Sequence, residues 1–210
     1  MKKLLTLTLA GLLAVGLSGC GPHENTATPE KPAIYLYPEE ETQVSVTLEL
    51  DGTFTSTYPD YGDGWTVTAQ PDGTLTDPET GRTYYCLFWE GIIDRQFDLS
   101  AGFCVAGDDT AAFLENALAR LGLTEREANE FIIYWLPRME GNPYNLISFQ
   151  TDAYTDAAEL TIDPAPDTLI RVFMAWKGLD QPVEVPAQEL TAPTRTGFTA
   201  VEWGGAELGK

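Results

Sequence analysis

Residues 108–137, DDTAAFLENALARLGLTEREANEFIIYWLP, decide the fold class, because only here do apolar residues recur at helical spacing. Asp108-Asp109-Thr110 supplies an N-cap residue ahead of Leu114, Ala117, Leu118 and Leu121, and Gly122 supplies a stop. Thr124 to Glu127 spell a capping box. Behind it Ala128, Phe131, Ile132 and Trp135 form a buried stripe that Pro137 is expected to end. Two helices this close in sequence predict an αα-hairpin at about 109–137.

On both sides of that stretch the period is two. Ile34 to Tyr37, closed by Pro32 and Pro38, reads as an edge strand. Val44, Val46, Leu48 and Leu50 alternate with polar residues, and Asp51-Gly52 reads as a tight hairpin into the strand that follows. Trp65 to Gln70, the turn at Pro71-Asp72-Gly73, and Thr74 to Thr76 predict a second hairpin. A turn at Asp77 to Gly81 leads to a strand at 84–89, apolar on both faces. Beyond the helices, strands are expected at 146–150, 160–162, 170–177 and 198–203. The class is therefore α+β, mainly antiparallel β in a meander or half-sandwich, with one domain at 33–205 and a tail at 206–210.

The N-terminal segment carries an address. Met1-Lys2-Lys3 precedes an apolar run from Leu4 to Leu17, the layout of an export signal and too short to span a bilayer. Leu17-Ser18-Gly19-Cys20 resembles the lipobox of bacterial lipoproteins, which implies cleavage of residues 1–19 and diacylation of Cys20 by palmitate-like chains. Residues 20–32, with three prolines and the single His23, read as a flexible tether in which an isolated imidazole is inert. The expected location is the bacterial cell envelope, outside the cytoplasm and lipid-anchored to a membrane. The 210-residue chain has 32 acidic and 12 basic residues. Loss of Lys2 and Lys3 leaves 10 basic residues and a side-chain balance of −22. Such a charge excludes nucleic acid as a partner and leaves the lipid to hold the membrane.

Several segments resemble an uncharacterised group of bacterial exported lipoproteins. They are Lys31 to Pro38 (Lys-Pro-x-Ile-Tyr-Leu-Tyr-Pro), Leu87 to Gly91 (Leu-Phe-Trp-Glu-Gly), Trp135-Leu136-Pro137, Asn145 to Phe149 and Val201 to Gly205. The resemblance implies the address and the extent of the domain. It brings no catalytic residue.

Three constellations bear on chemistry. Glu90 beside Trp89 and Glu202 beside Trp203 pair carboxylates with indoles, the composition of a glycoside or cell-wall hydrolase that uses two acids across one bond. The plainer reading, which the composition favours, puts both acids on wet strand ends and both indoles in the core. Tyr58, Asp60, Tyr61, Asp63 and Trp65 form a glycine-rich aromatic and acidic loop suited to a ligand-binding lip, without the spacing of a calcium loop. Cys86 and Cys104 are compatible with a disulfide or with two separate thiols. Neither a cofactor nor a metal is indicated, and the signatures of Ser-His hydrolases, phosphate loops and dinucleotide sites are missing. These readings lean away from catalysis. They favour a binding or interaction module for an envelope glycan or protein, with the Glu90/Glu202 hydrolase and an assembly lipoprotein pairing through the Ile34–Tyr37 edge as alternatives.

Overall fold

The computed structural model describes residues 27–209. The expected leader, Cys20 and His23 lie outside the described residues. The chain runs through β1 (Glu30–Tyr37), β2 (Thr42–Leu50), β3 (Gly52–Tyr58), β4 (Trp65–Ala69), β5 (Leu75–Thr76), β6 (Thr83–Tyr84), β7 (Leu87–Ile93) and β8 (Phe103–Ala106). Then come α1 (Thr110–Arg120), α2 (Glu125–Met139), β9 (Tyr144–Gln150), α3 (Asp152–Thr155), β10 (Ala158–Asp163), β11 (Thr168–Leu179) and β12 (Thr199–Glu207). The fold is mostly β and rich in antiparallel pairs, within the α+β class.

The strands make two sheets. One has seven strands in the order β3-β7-β1-β12-β11-β9-β8, and the other five in the order β10-β2-β4-β5-β6. All pairings are antiparallel except β11 with β12, which follow one another in sequence yet run parallel because residues 180–198 carry the chain back to the starting end. Alternation in β2 and β4 buries Val44, Val46, Leu48, Trp65 and Val67 against Ile34, Leu36, Trp89 and Phe173 of the large sheet. The opposite face of the large sheet presents Tyr35, Val172, Met174, Trp176, Val201 and Trp203 to Leu114, Leu118, Phe131 and Trp135 of α1 and α2. The result is three layers: small sheet, large sheet, helices. A sheet covered on both faces needs apolar residues at consecutive positions, which β1, β11 and β12 supply.

That layering corrects several expectations. The strands between 34 and 90 do not form a meander, since β1, β3 and β7 enter the large sheet while β2, β4, β5 and β6 build the small one. Asp51-Gly52 is a corner between sheets rather than a hairpin: the Asp51 N–H donates to Ala157 O (2.8 Å), and Asp51 O accepts from Asp94 N (3.1 Å). The expected strand at 84–89 is broken at Tyr85-Cys86, where the chain changes sheets. β1 is internal, bonded to β7 on one side and β12 on the other, and Pro32 is tolerated because the register slips between Glu30 and Ala33. It is therefore not the edge strand that its flanking prolines suggest, although its pairing with β7 covers only Ala33 and Ile34. Residues 27–32, read as tether, belong to the domain: Ala27 is buried and exchanges two backbone hydrogen bonds with Ile93. The expected tail is also structural as far as Leu208, whose N–H donates to Trp176 O (2.7 Å).

The hairpin at 71–73 forms as read, with Asp72 Oδ1 accepting from Thr74 N (2.9 Å) and Gly73 at φ 86°. The capping box at Thr124 and Glu127 closes both ways. Asp109 is the N-cap residue of α1 but makes no side-chain cap bond, and a 3₁₀ turn at Gly107–Asp109 leads into the helix. Helix α2 runs through Pro137 to Met139 rather than stopping before it. Buried Asn145 ties the helix ends together, donating from Nδ2 to Thr110 Oγ1 and to Met139 O (3.0 Å each).

Residues 180–198 form a strap without regular structure. Arg195 bonds Gly122 O and pairs with buried Glu127. Gln188 accepts from Phe149 N (2.8 Å) and donates to Phe149 O (2.9 Å), so its side-chain amide copies a peptide unit beside β9 past the last residue that β8 reaches.

Candidate functional site

Glu90 and Glu202 do not form a catalytic pair. Neighbouring residues on a strand point to opposite faces. Trp89 faces the small sheet, so Glu90 faces the helices; Trp203 faces the helices, so Glu202 faces the small sheet. With the backbone of the large sheet between them, the two carboxylates cannot flank one glycosidic bond, and the hydrolase reading falls.

Glu202 is instead a structural ion. It is fully buried, its Oε2 accepts from Arg171 Nε (2.7 Å), and its Oε1 accepts from Trp89 Nε1 (3.0 Å). Arg171 and Glu202 are register partners on the parallel β11–β12 pair, which aims both side chains into the space between the sheets. The guanidinium lies 4.8 Å from the Tyr154 ring, which stacks on Phe173 at 4.0 Å. Burial, with the Glu202 carboxylate adding to it, pushes the Tyr154 phenol well above the usual range. Trp89 and Trp203, named as candidate ligand-facing rings, are core residues with no exposed surface, as the plainer reading has them.

The loop at 58–65 divides its residues between structure and surface. Tyr61 Oη accepts from Leu48 N (2.8 Å) and donates to Leu48 O (3.2 Å), fixing the loop onto β2. Trp65 is buried and donates from Nε1 to Pro59 O (2.9 Å). Their polar atoms are thus committed to the fold, while both rings contribute to the wall of the hollow beside the loop. Asp60 lines an open hollow of about 400 Å³ with Asp77 and Glu79, while Asp63 is exposed outside it. Asp77 Oδ1 accepts from Thr80 N and Glu79 N, which holds its carboxyl below the usual range and commits its charge to the turn. Among the described residues no three His, Cys, Asp or Glu side chains converge as a metal would require.

Tyr58 leads to the stronger site. With Glu90 it lines a groove of about 510 Å³ where β6, β7 and α2 meet. Tyr84, Tyr85, Phe88 and Tyr134 supply the other rings and Lys31 the cation. Tyr58 and Tyr85 are 55% and 51% exposed, which no demand of the core explains. Tyr58 meets Tyr84 edge-on at 5.5 Å. Tyr134 is held by donating to Glu30 Oε2 (3.0 Å), and burial pushes its phenol up to about 12.

Lys31 is the only non-glycine residue at positive φ (61°) among those described. Three contacts hold it there. Its backbone N–H donates to Glu90 Oε1 (3.2 Å), and its Nζ lies 5.3 Å from the Phe88 ring centre and 5.6 Å from that of Trp203. A strained residue braced against the one acid of the groove is the kind of local cost that functional sites retain.

No protein-family model, curated protein or solved structure matches the chain. The site therefore rests on its own geometry. Of its residues, Tyr58 and Glu90 were legible as candidates. Lys31, Tyr84, Tyr85, Phe88 and Tyr134 were not, because they come from separate elements and only the sheet crossing at 85–86 gathers them.

Cys86 and Cys104 are free thiols, which corrects the disulfide option. Cys86 immediately precedes β7 and Cys104 lies in β8, with β1, β12, β11 and β9 between those strands. At about 4.8 Å per strand the separation far exceeds the roughly 7 Å that a bridge allows between Cα atoms. Burial pushes the Cys86 thiol up to about 11, a shift that nearby Lys31 only partly opposes. Native protein treated with iodoacetamide at pH 8 should therefore alkylate Cys104 well before Cys86, as read by peptide mass mapping. Equal rates would contradict the burial.

Proposed function

We propose that this chain is a lipid-anchored extracytoplasmic binding module that takes a glycan in the groove of Tyr58, Tyr84, Tyr85 and Phe88. The address rests on the lipobox-like Leu17 to Cys20 and on the likeness to exported lipoproteins. The single observation that carries the binding role is the pair of tyrosines, each more than half exposed, at the rim of a groove with a polar end at Glu90 and Lys31. Flat rings offer sugar faces a stacking surface, and the adjoining polar groups can order hydroxyls. In this reading α1 and α2 act as one inserted αα-hairpin whose Tyr134 closes the groove from the helix layer.

Calorimetric titration with an oligosaccharide panel tests the role. Tyr58→Ala and Tyr85→Ala should each weaken binding roughly 2- to 10-fold, the worth of one aromatic contact. Because both rings are exposed, unfolding free energy should change by only about 0.5 kcal/mol. Undiminished binding by the double variant would overturn the assignment. Cys20→Ala should move the protein from the membrane to the soluble fraction, and a native product with an intact leader and no acyl adduct would overturn the address.

A further inference from the structure

We infer that the ligand of the groove carries a protonated amine, and that Glu90 is the group that reads it. The inference rests on the glycan-binding reading and narrows it to sugars with a free amino group. Two charged side chains face the groove, and they are not equivalent. The Lys31 ammonium is already placed over the Phe88 and Trp203 rings. Glu90 has one oxygen occupied by the Lys31 N–H, and its second oxygen has no hydrogen-bond partner among the described residues. A half-buried carboxylate with spare acceptor capacity, walled by tyrosine faces, is complementary to an organic ammonium: the ring quadrupoles and the acid attract the same sign.

The Lys31 ammonium over the Phe88 ring shows that an aromatic wall of the groove holds a cation, so a ligand amine must meet Glu90 and the tyrosines rather than that ring. The field of the whole chain acts in the same direction, since a formal charge of −20, or −22 once residues 1–19 are removed, concentrates cations near the surface and repels acidic glycans. An N-acetylated sugar would cover Glu90 while offering only neutral donors. A free amine supplies a charge-assisted bond to the same oxygen, for a preference of roughly ten- to hundredfold.

The test compares a tetramer of glucosamine with a tetramer of N-acetylglucosamine, titrated calorimetrically at pH 6 into wild type and Glu90→Gln. Glutamine keeps an oxygen for the Lys31 N–H, so the fold is retained, which thermal melting checks. Wild type should prefer the free-amine tetramer at least tenfold, and Glu90→Gln should lose that preference while still binding the N-acetylated form. Equal affinities in wild type, or a preference that survives Glu90→Gln, would overturn the inference and leave the glycan-binding reading standing. Failure of both tetramers to bind would overturn that reading as well.

Discussion

Arg171→Met should destabilise the protein by about 3–5 kcal/mol, because it strands the Glu202 carboxylate between two sheets without a counterion, beside the Trp89 indole and the Tyr154 phenol, both neutral. The cost comes from desolvation. A buried charge that loses its counterion keeps the whole penalty of leaving water and none of the compensation. For a chain of this size the melting temperature should fall by roughly 6–20 °C. Arg171→Met combined with Glu202→Leu should recover most of the loss, since a matched pair of apolar side chains removes both charges together. Urea unfolding of the single and double variants decides the matter: a single variant within about 1 kcal/mol of wild type would contradict the buried pair.

Trp135→Ala should have the other large effect, about 3–5 kcal/mol. Trp135 is fully buried between α2 and the large sheet, 6.4 Å from Trp176 edge-on, and its ring reaches Gly205, where any added Cβ would lie 2.8 Å from Trp135 Cζ2. The alanine variant opens a cavity in the middle of the helix-facing core. Trp135→Phe should cost much less, because Trp135 Nε1 has no hydrogen-bond partner among the described residues and nothing polar is lost. Trp89→Phe provides the contrast: it removes the indole donor from Glu202. Denaturant midpoints for the three variants should rank alanine at 135 as the most damaging. An equal cost for alanine and phenylalanine at 135 would show that packing there is not what holds the helices down.

How much of this was legible depends on range along the chain. Local signals read well: the turn at Asp72-Gly73, the capping box at Thr124 and the alternation of Val44 to Leu50 each reflect contacts a few residues apart. The allocation of strands to sheets did not, because a period of two fits a strand in either sheet. Arg171 shows the limit clearly. In an alternating pattern it reads as a residue on a wet face, yet the parallel β11–β12 register sets it against Glu202, 31 positions away, in the interior. The candidate acids failed for a related reason, since each motif places its indole and its carboxylate on opposite faces. The groove was half legible, through Tyr58 and Glu90, and the rest of it exists only after the chain has crossed between sheets.

The amide of Gln188 has a further consequence. By answering both main-chain groups of Phe149, it occupies the site where an incoming extended chain would start to add to β9. Such growth would have to displace a clamp anchored along a nineteen-residue strap rather than merely dock on open backbone. Copies of the chain brought together at high concentration would thereby be kept from pairing through this part of β9.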